Sequence, residues 1–291
     1  MFDVICVGQA VIDCITRGKE AQPYRENVYR AETIRLHTGG DAVNESMALV
    51  KLGRKAAIVC GLGRDMAGGI LLDRLRAAGV DTGRVSLLDR DTPIANLQVA
   101  TDGSRFSVNS QATRLEGYQI SPHSVRDARI VSLASLFRPP LADPAVTAAL
   151  AKEAKAQGSL LCADTKLPLT GDLRLEDFRE TLALVDYLFP NEKEAAHYSG
   201  ETDFPAMARA IRGFGVKNVI IKAGPLGCYV SGQEGEFSLP ALPVEQVVDT
   251  TGAGDHFVAG FLTGLLDRAD LKTAAHLALQ EAAQAISHTG G

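Results

Sequence analysis

The chain has 291 residues, 46% hydrophobic and 22% charged, which suits an ordinary soluble globular protein with a sizeable core. A formal charge of −5 gives no electrostatic footprint for nucleic acid or an anionic membrane, so an anionic ligand would need backbone amides or a few local cations. No apolar run is long enough for a membrane span, Met1-Phe2-Asp3-Val4 lacks a secretory pattern, and five scattered cysteines (Cys6, Cys14, Cys60, Cys162, Cys228) suit a reducing cytoplasm without disulfides or zinc.

Residues 2–7 form a short apolar run ending at Gly8, the pattern of a buried strand, and Asp13 follows where the chain leaves it. Open α/β sheets bind ligands at such strand ends. Thr16 to Arg30 is polar, with Gly18, Pro23 and Asn27, and reads as an excursion from the core. Thr38-Gly39-Gly40-Asp41-Ala42-Val43-Asn44-Glu45 then leads into the helical pattern Met47, Leu49, Val50, Leu52, stopped at Gly53. A glycine pair before a helix lets backbone approach something closely. Residues 56–60 read as a strand, and Gly61-Leu62-Gly63-Arg64-Asp65-Met66-Ala67-Gly68 joins it to a helix ending near Ala78. Met66 occupies the place of the third glycine of a dinucleotide fingerprint, so that reading is rejected. Residues 94–101 and 105–109 flank Asp102-Gly103, a hairpin signal. Together with the region from Thr16 to His37, the hairpin predicts a small β lid over a main sheet.

Strand–helix alternation then resumes, with strands at 130–134, 160–163 and 187–189 and helices at 144–157 and 176–185. Pro190-Asn191-Glu192-Lys193-Glu194 opens another helix, with Asn191 as its simplest cap and Glu194 as the capping-box partner. A helix at 204–214, a strand at 219–221, the turn Gly224-Pro225-Leu226-Gly227 and strands at 228–230 and 237–239 follow. An Ala-rich helix at 271–287 closes the chain. This alternation predicts a mainly parallel sheet with helices on both faces, in a length that allows two small domains or one large α/β domain, the expectation being one over 1–291.

Before that last helix stands Val248-Asp249-Thr250-Thr251-Gly252-Ala253-Gly254-Asp255-His256-Phe257, followed by a helical pattern through Val258, Phe261, Leu262, Leu265 and Leu266. Gly252 and Gly254 carry no Cβ to keep a ligand off the backbone, and the first amides of a helix make an anion site. Spacing alone leaves Asp255 with two readings: a capping carboxylate, or a base held beside a bound anion.

In this order the motifs resemble the ribokinase-like carbohydrate kinases, also called the phosphofructokinase-B family. The likeness covers essentially the whole chain. Asp249-Thr250-Thr251-Gly252-Ala253-Gly254-Asp255-His256-Phe257 fits the C-terminal signature, Gly39-Gly40-Asp41-Ala42-Val43-Asn44 the N-terminal glycine pair and asparagine, and Asn191 to Glu194 the Asn-x-x-Glu motif. The resemblance implies a ribokinase-like fold and transfer of the ATP γ-phosphoryl group to a sugar hydroxyl. It implies Asp255 as the base and the amides of Gly252, Ala253 and Gly254 as stabilisers of phosphoryl charge. Asn191 and Glu194 would organise phosphates and Mg²⁺, the Glu through water, and Lys222, Gly224 and Gly227 would form the nucleotide turn. Asp13, Gly39, Gly40 and Asn44 would hold the sugar. Lys166 stands where relatives carry a cation facing phosphate or substrate, with Arg138 a looser candidate. Asp249 and Thr251 match two positions of a monovalent-cation site, which makes K⁺ a candidate cofactor. Lid segments at about 14–38 and 92–112 would close over the sugar and serve as a homodimer interface.

Two departures bear on specificity. Asp41 stands where ribokinases proper carry lysine, so ribose is not favoured, and Glu281 falls about where relatives place an adenine-pocket asparagine. The rival expectations are a kinase for a nucleoside or another hydroxylated small molecule, and a weakly active sugar- or nucleotide-binding regulator on the same fold. An intact Asp255 and glycine loop argue against the regulator.

Overall fold

The computed structural model describes residues 1–19, 25–100, 105–115, 118–168, 173–247 and 250–287. The chain opens with β1 (Phe2–Gly8), leaves the body through β2 (Val11–Lys19) and returns on β3 (Thr33–Gly39) into α1 (Asp41–Lys51). β4 (Ala56–Val59), β5 (Gly61–Gly63), α2 (Met66–Ala78), β6 (Ser86–Leu88), β7 (Ile94–Ala100) and β8 (Arg105–Asn109) follow. Next come β9 (Ala128–Leu136), α3 (Pro144–Ala156), β10 (Leu160–Thr165), α4 (Arg179–Leu182) and β11 (Tyr187–Phe189). The last third holds α5 (Glu192–Ser199), α6 (Phe204–Arg212), β12 (Asn218–Lys222), β13 (Cys228–Gly232), β14 (Gly235–Leu239), α7 (Ala253–Leu266) and α8 (Leu271–Ile286).

Eight strands form one sheet in the order β14-β13-β12-β11-β10-β9-β1-β4, parallel from β12 to β4 and antiparallel beyond. Because side chains alternate along a strand, each strand feeds two cores. Val4 and Cys6 of β1, Ile130 of β9 and Ile220 of β12 pack with Leu49 of α1, Leu75 of α2, Phe261 of α7 and Ala278 of α8. Their neighbours Ile5, Val7, Val131 and Ile221 pack on the other face with Leu150 of α3, Leu182 of α4, Ala195 of α5 and Ile211 of α6. This is the two-faced α/β architecture that the alternation predicts.

A second sheet, β3-β2-β7-β8, stands apart from the first. β2 pairs antiparallel with β3 and parallel with β7, and β7 pairs antiparallel with β8. Asp102 and Gly103, the expected hairpin turn, lie outside the described residues. Two local expectations are corrected. Residues 16–19, read as part of a polar excursion, continue β2, because Asp13, Ile15 and Arg17 alternate with Ile12, Cys14 and Thr16 across a real pleat. The helix expected at 176–185 is a 3-10 turn, Leu175–Phe178, followed by the single turn of α4. Leu175, Phe178, Leu182 and Val185 are buried all the same, so the apolar spacing identified the face but not the backbone that presents it. Among the described residues no helix is long and apolar enough to cross a membrane.

Candidate active site

The parallel strands all end at one edge of the large sheet, β1 at Gly8, β9 at Leu136, β10 at Thr165 and β12 at Lys222. From β1 the chain proceeds to β4 on one side, whereas β9 to β12 step outward on the other. Strand order therefore reverses between β1 and β9, the place where open α/β sheets leave a ligand crevice. Lys222 ends one of these strands, and Lys166 follows another.

Helix α7 starts at Gly252, whose φ of 75° is left-handed and which has no side chain to cap it. The amides of a first turn have no intrahelical partners and lie at the positive end of the helix dipole. Ala253 and Gly254 are its first two residues, and a Cβ on Gly254 would stand 3.4 Å from Lys222 Nζ, so an ammonium lies close to this turn. Asp255 is the third residue and only 4% exposed, and its Oδ2 accepts from Asn44 Nδ2 of α1 at 2.7 Å. The carboxylate does not cap the helix, which removes one of the two readings that spacing left open.

Asp255 is one of three buried carboxylates. Oxygens of Asp41, Asp164 and Asp255 all lie within 4.8 Å of one another. Asp41 Oδ2 accepts from Ser135 Oγ at 2.6 Å and pairs with Lys166 Nζ at 3.1 Å. Burial opposes the charge on Asp41, but Lys166 and Ser135 outweigh it and hold the carboxyl below the usual range. Asp164 Oδ2 pairs with Lys222 Nζ at 2.5 Å while its Oδ1 accepts from Thr165 N at 2.7 Å. Burial raises Asp164 to about 6 against the pull of Lys222, so the pair is ionised at neutral pH. Lys222 is held above its ordinary value because Asp164 and Glu194 outweigh its burial. Among the described residues, Asp255 has as its hydrogen-bond partner only the neutral amide of Asn44. Burial, then the charge of Asp41, pushes it up to about 7, with Lys166 and Asn44 opposing.

Local backbone irregularity aims these groups. The β9–β10 register shifts between Ala163 and Thr165, and such bulges re-aim side chains next to functional sites. Ser135, the donor to Asp41, has a φ of 79°, a left-handed conformation that a non-glycine residue holds only where its surroundings impose it. Lys166 is tied down through its backbone: its N–H donates to Leu136 O at 3.1 Å and its carbonyl accepts from Tyr198 Oη at 2.6 Å.

At the junction of β3 and α1, Asp13 Oδ2 occupies space that a Cβ on Gly39 would need, only 2.1 Å away. Burial and then the charge of Asp41 raise Asp13 to about 6. Gly40, at φ 95°, precedes α1, and a Cβ there would come within 2.3 Å of Gln9 O. Only glycine fits both that dihedral and that gap. On the opposite side, Asn191 and Glu194 form a reciprocal capping box at 2.9 Å each way, and Glu194 Oε2 also accepts from Thr165 Oγ1 at 2.9 Å. Lys222 N–H donates to Pro190 O, which fastens β12 beside this box. Gly224 opens the 3-10 turn Gly224–Leu226, and Gly227 closes it with its carbonyl accepting from Ala223 N at 2.8 Å. Thr251 precedes Gly252, and Asp249 lies outside the described residues. Arg138 Nε bonds Leu167 O, and Glu281 lies along α7, its Cγ 3.0 Å from where a Cβ on Gly260 would be.

Sequence reasoning singled out Lys222 and Lys166 but missed their partners. Asp164 had a usable signal, since it is the acid that ends the apolar run of β10 at a strand terminus. Asp41 drew notice only as a departure. Ser135 had no signal, because its left-handed backbone is not written in any local pattern.

A glycine-led helix start beside the Lys222 ammonium is suited to hold an anion. The model of the pfkB family carbohydrate kinases matches residues 1–291, and the chain belongs to that family. It is similar to an ATP-dependent ribose-1-phosphate kinase of Halopiger xanaduensis, 30% identical over 94% of this chain and 88% of that one. A cytidine kinase of Thermococcus kodakarensis is 38% identical over 120 residues, 40% of this chain and 42% of that one. The structure of Arabidopsis thaliana ribokinase complexed with ribose and ATP superposes with a TM-score of 0.86 at 25% identity, covering 100% of this chain and 94% of that one. The fold is ribokinase-like, and the protein is an ATP-dependent kinase of the sugar and nucleoside kinase class.

Proposed function

We propose that the protein moves the γ-phosphoryl group of ATP to a hydroxyl of a sugar or sugar-like acceptor, with Asp255 as the base. The observation that carries this reading is the unequal partnering of the three carboxylates. Asp41 and Asp164 each hold a lysine, whereas Asp255 holds only an amide and is raised to about 7. A base poised near working pH is the most effective one for taking a hydroxyl proton. The acceptor oxygen then forms its bond to the γ-phosphorus as the bridging P–O bond to ADP breaks, and the proton stays on Asp255. Charge on the transferring group falls on the amides of Gly252, Ala253 and Gly254, with the Lys222 ammonium beside them.

Asn191, Glu194, Gly224 and Gly227 fit the nucleotide side, and Asp13, Gly39, Gly40, Asn44 and Lys166 the acceptor side. The all-oxygen cluster of Asp41, Asp164 and Asp255 suits Mg²⁺, which when bound would neutralise charge on the phosphates, with Glu194 acting through water. Lys166 and Lys222 already neutralise two of the three aspartates, which favours the Glu194 side for the ion. Thr251 keeps K⁺ a candidate beside the loop. The small sheet is the lid, and on the face away from Asp13 it exposes Ile34, Leu36, Phe106 and Val108, an apolar surface suited to a homodimer in the cytoplasm. The likeness to the cytidine kinase supports a nucleoside acceptor as a second reading.

Asp255→Asn keeps the shape and the contact with Asn44 but removes the base. It should lose roughly 10²–10⁴-fold in turnover while still binding ATP and acceptor. Wild-type turnover in that variant would remove Asp255 from the mechanism.

A further inference from the structure

The lid sheet carries polar groups whose position the mechanism above leaves unused. Residues opposite one another in neighbouring strands share a face. Asp13 of β2 is opposite His37 of β3 and Ala95 of β7, and Ile15, two residues further out, is opposite Arg35 and Leu97. Asp13, His37 and Arg35 therefore lie on one side of the sheet. That side turns towards the site, because the Asp13 carboxylate lies against Gly39 and within reach of the Asp41 charge. The opposite side is the apolar one.

Beyond Asp13 this polar side is concave. A cavity of about 230 Å³ is lined by Ile15, Arg17, Glu32, Thr33, Arg35 and His37. Glu32 folds over Gly18, where a Cβ would stand 2.4 Å from its Cδ, at the end of the cavity far from Asp13. Arg35 is exposed and His37 half-buried, and neither side chain makes a hydrogen bond or ion pair with any described residue. The groups thus run in series outward from the reaction centre: Asp255, Asp41, Asp13, His37, Arg35. Three carboxylates come first, and two nitrogen-bearing side chains without described partners come last. At about 3.4 Å per residue, Arg35 lies about 7 Å beyond His37 along β3, a gap that an arginine side chain can span in either direction.

We infer that the acceptor carries an anionic oxygen group, a carboxylate or a phosphate, at the end remote from the hydroxyl that is phosphorylated, and that Arg35 and His37 hold it. The planar guanidinium fork matches either group in two-point fashion. A neutral sugar would leave both donors facing only solvent beneath the lid. The inference rests on the assignment of Asp255 and Asp13 to the acceptor end.

The test is ADP release with matched acceptors: an aldose against its aldonic acid, and a sugar against its monophosphate. Wild type should favour the anionic member of at least one pair by tenfold or more in kcat/KM, and the pair that responds distinguishes carboxylate from phosphate. Arg35→Ala should cut that preference at least tenfold, chiefly through KM of the anionic acceptor, and Arg35→Lys should restore part of it. His37→Gln should reduce it less. A wild-type preference for both neutral members, or an Arg35→Ala variant with the same ratio as wild type, would overturn the inference and leave the kinase assignment standing. Turnover that survives in Asp255→Asn would instead overturn the assignment beneath it. Arg35 is on the surface, so loss of folding does not confound the comparison.

Discussion

Replacing Asp41 by asparagine measures how far one carboxylate sets the proton affinity of another. Ligand oxygens of Asp41 and Asp255 lie within 4.8 Å. With an effective dielectric constant of about 20, two unit charges at that distance repel by roughly 3.5 kcal/mol, equivalent to about 2.5 pH units. The other groups facing Asp255 do not cancel this. Asn44 is neutral, and Asp164 keeps its own lysine. Glu45 is fully buried with Ser132 on its Oε2, and burial pushes it well above the carboxylate range. Lys166, released from Asp41, attracts a proton-free Asp255 and adds to the effect. Starting from about 7, the acid limb of kcat/KM for the acceptor should therefore move down by one to two and a half units, roughly. Below the wild-type limb the rate falls tenfold per pH unit, so at about pH 5.5 the variant should gain relative to wild type even if its plateau is lower. The assay is a coupled ADP-release measurement at subsaturating acceptor, corrected for stability at each pH. An acid limb that stays in place in a variant with a cooperative melt would refute the electrostatic account of Asp255.

Two further outcomes concern stability. Because burial raises Asp255 from 3.8 to about 7, the native state binds a proton across that window that the unfolded chain does not, and stability falls as pH rises through it. Asp255→Asn lacks this cost, so its melting temperature should exceed that of wild type at about pH 8 and the difference should vanish below about pH 4. Equal melting curves at both pH values would mean that the carboxylate is not stressed. Asp164→Asn leaves the Lys222 ammonium buried without its partner, a change that costs about 3–5 kcal/mol. ATP phosphates should replace the lost counter-charge, so ATP should raise the melting temperature of this variant more than that of wild type; an equal or smaller rise would separate Lys222 from nucleotide binding.

The layer architecture was legible because burial on two faces leaves long apolar runs in β1, β4, β9, β10 and β12, and caps mark the helices between them. Asp65, Asp143, Asn191, Asp203 and Asp270 each accept from a first-turn amide of the helix they precede. The glycine pair and the loop before α7 were legible for a different reason: close approach and positive φ restrict those positions to glycine. What stayed hidden was partnership across distant strands. The bond between Asn44 and Asp255 joins residues 211 apart in the chain, and the one between Lys222 and Asp164 joins residues 58 apart. Nothing in a local pattern selects such pairs. The small sheet was only partly readable because its strands are half-exposed, so that Arg17 and Arg35 interrupt the apolar alternation that marks a strand.

The Gly39-Gly40 junction also fixes a count. It joins the last residue of the lid strand β3 to the first turn of α1, and Asn44 projects to Asp255 from the fourth position of that helix. One residue added inside the junction would turn the helix face by about 100°, and Asn44 would point away from α7. The surrounding backbone leaves no slack to absorb an extra residue, since Gln9 O already closes on Gly40. Spacing at this joint is thus held as tightly as composition: a lineage could exchange lid residues freely, or lengthen the loop at the far end of β2, but an insertion between lid and helix would disconnect the amide from the carboxylate it serves.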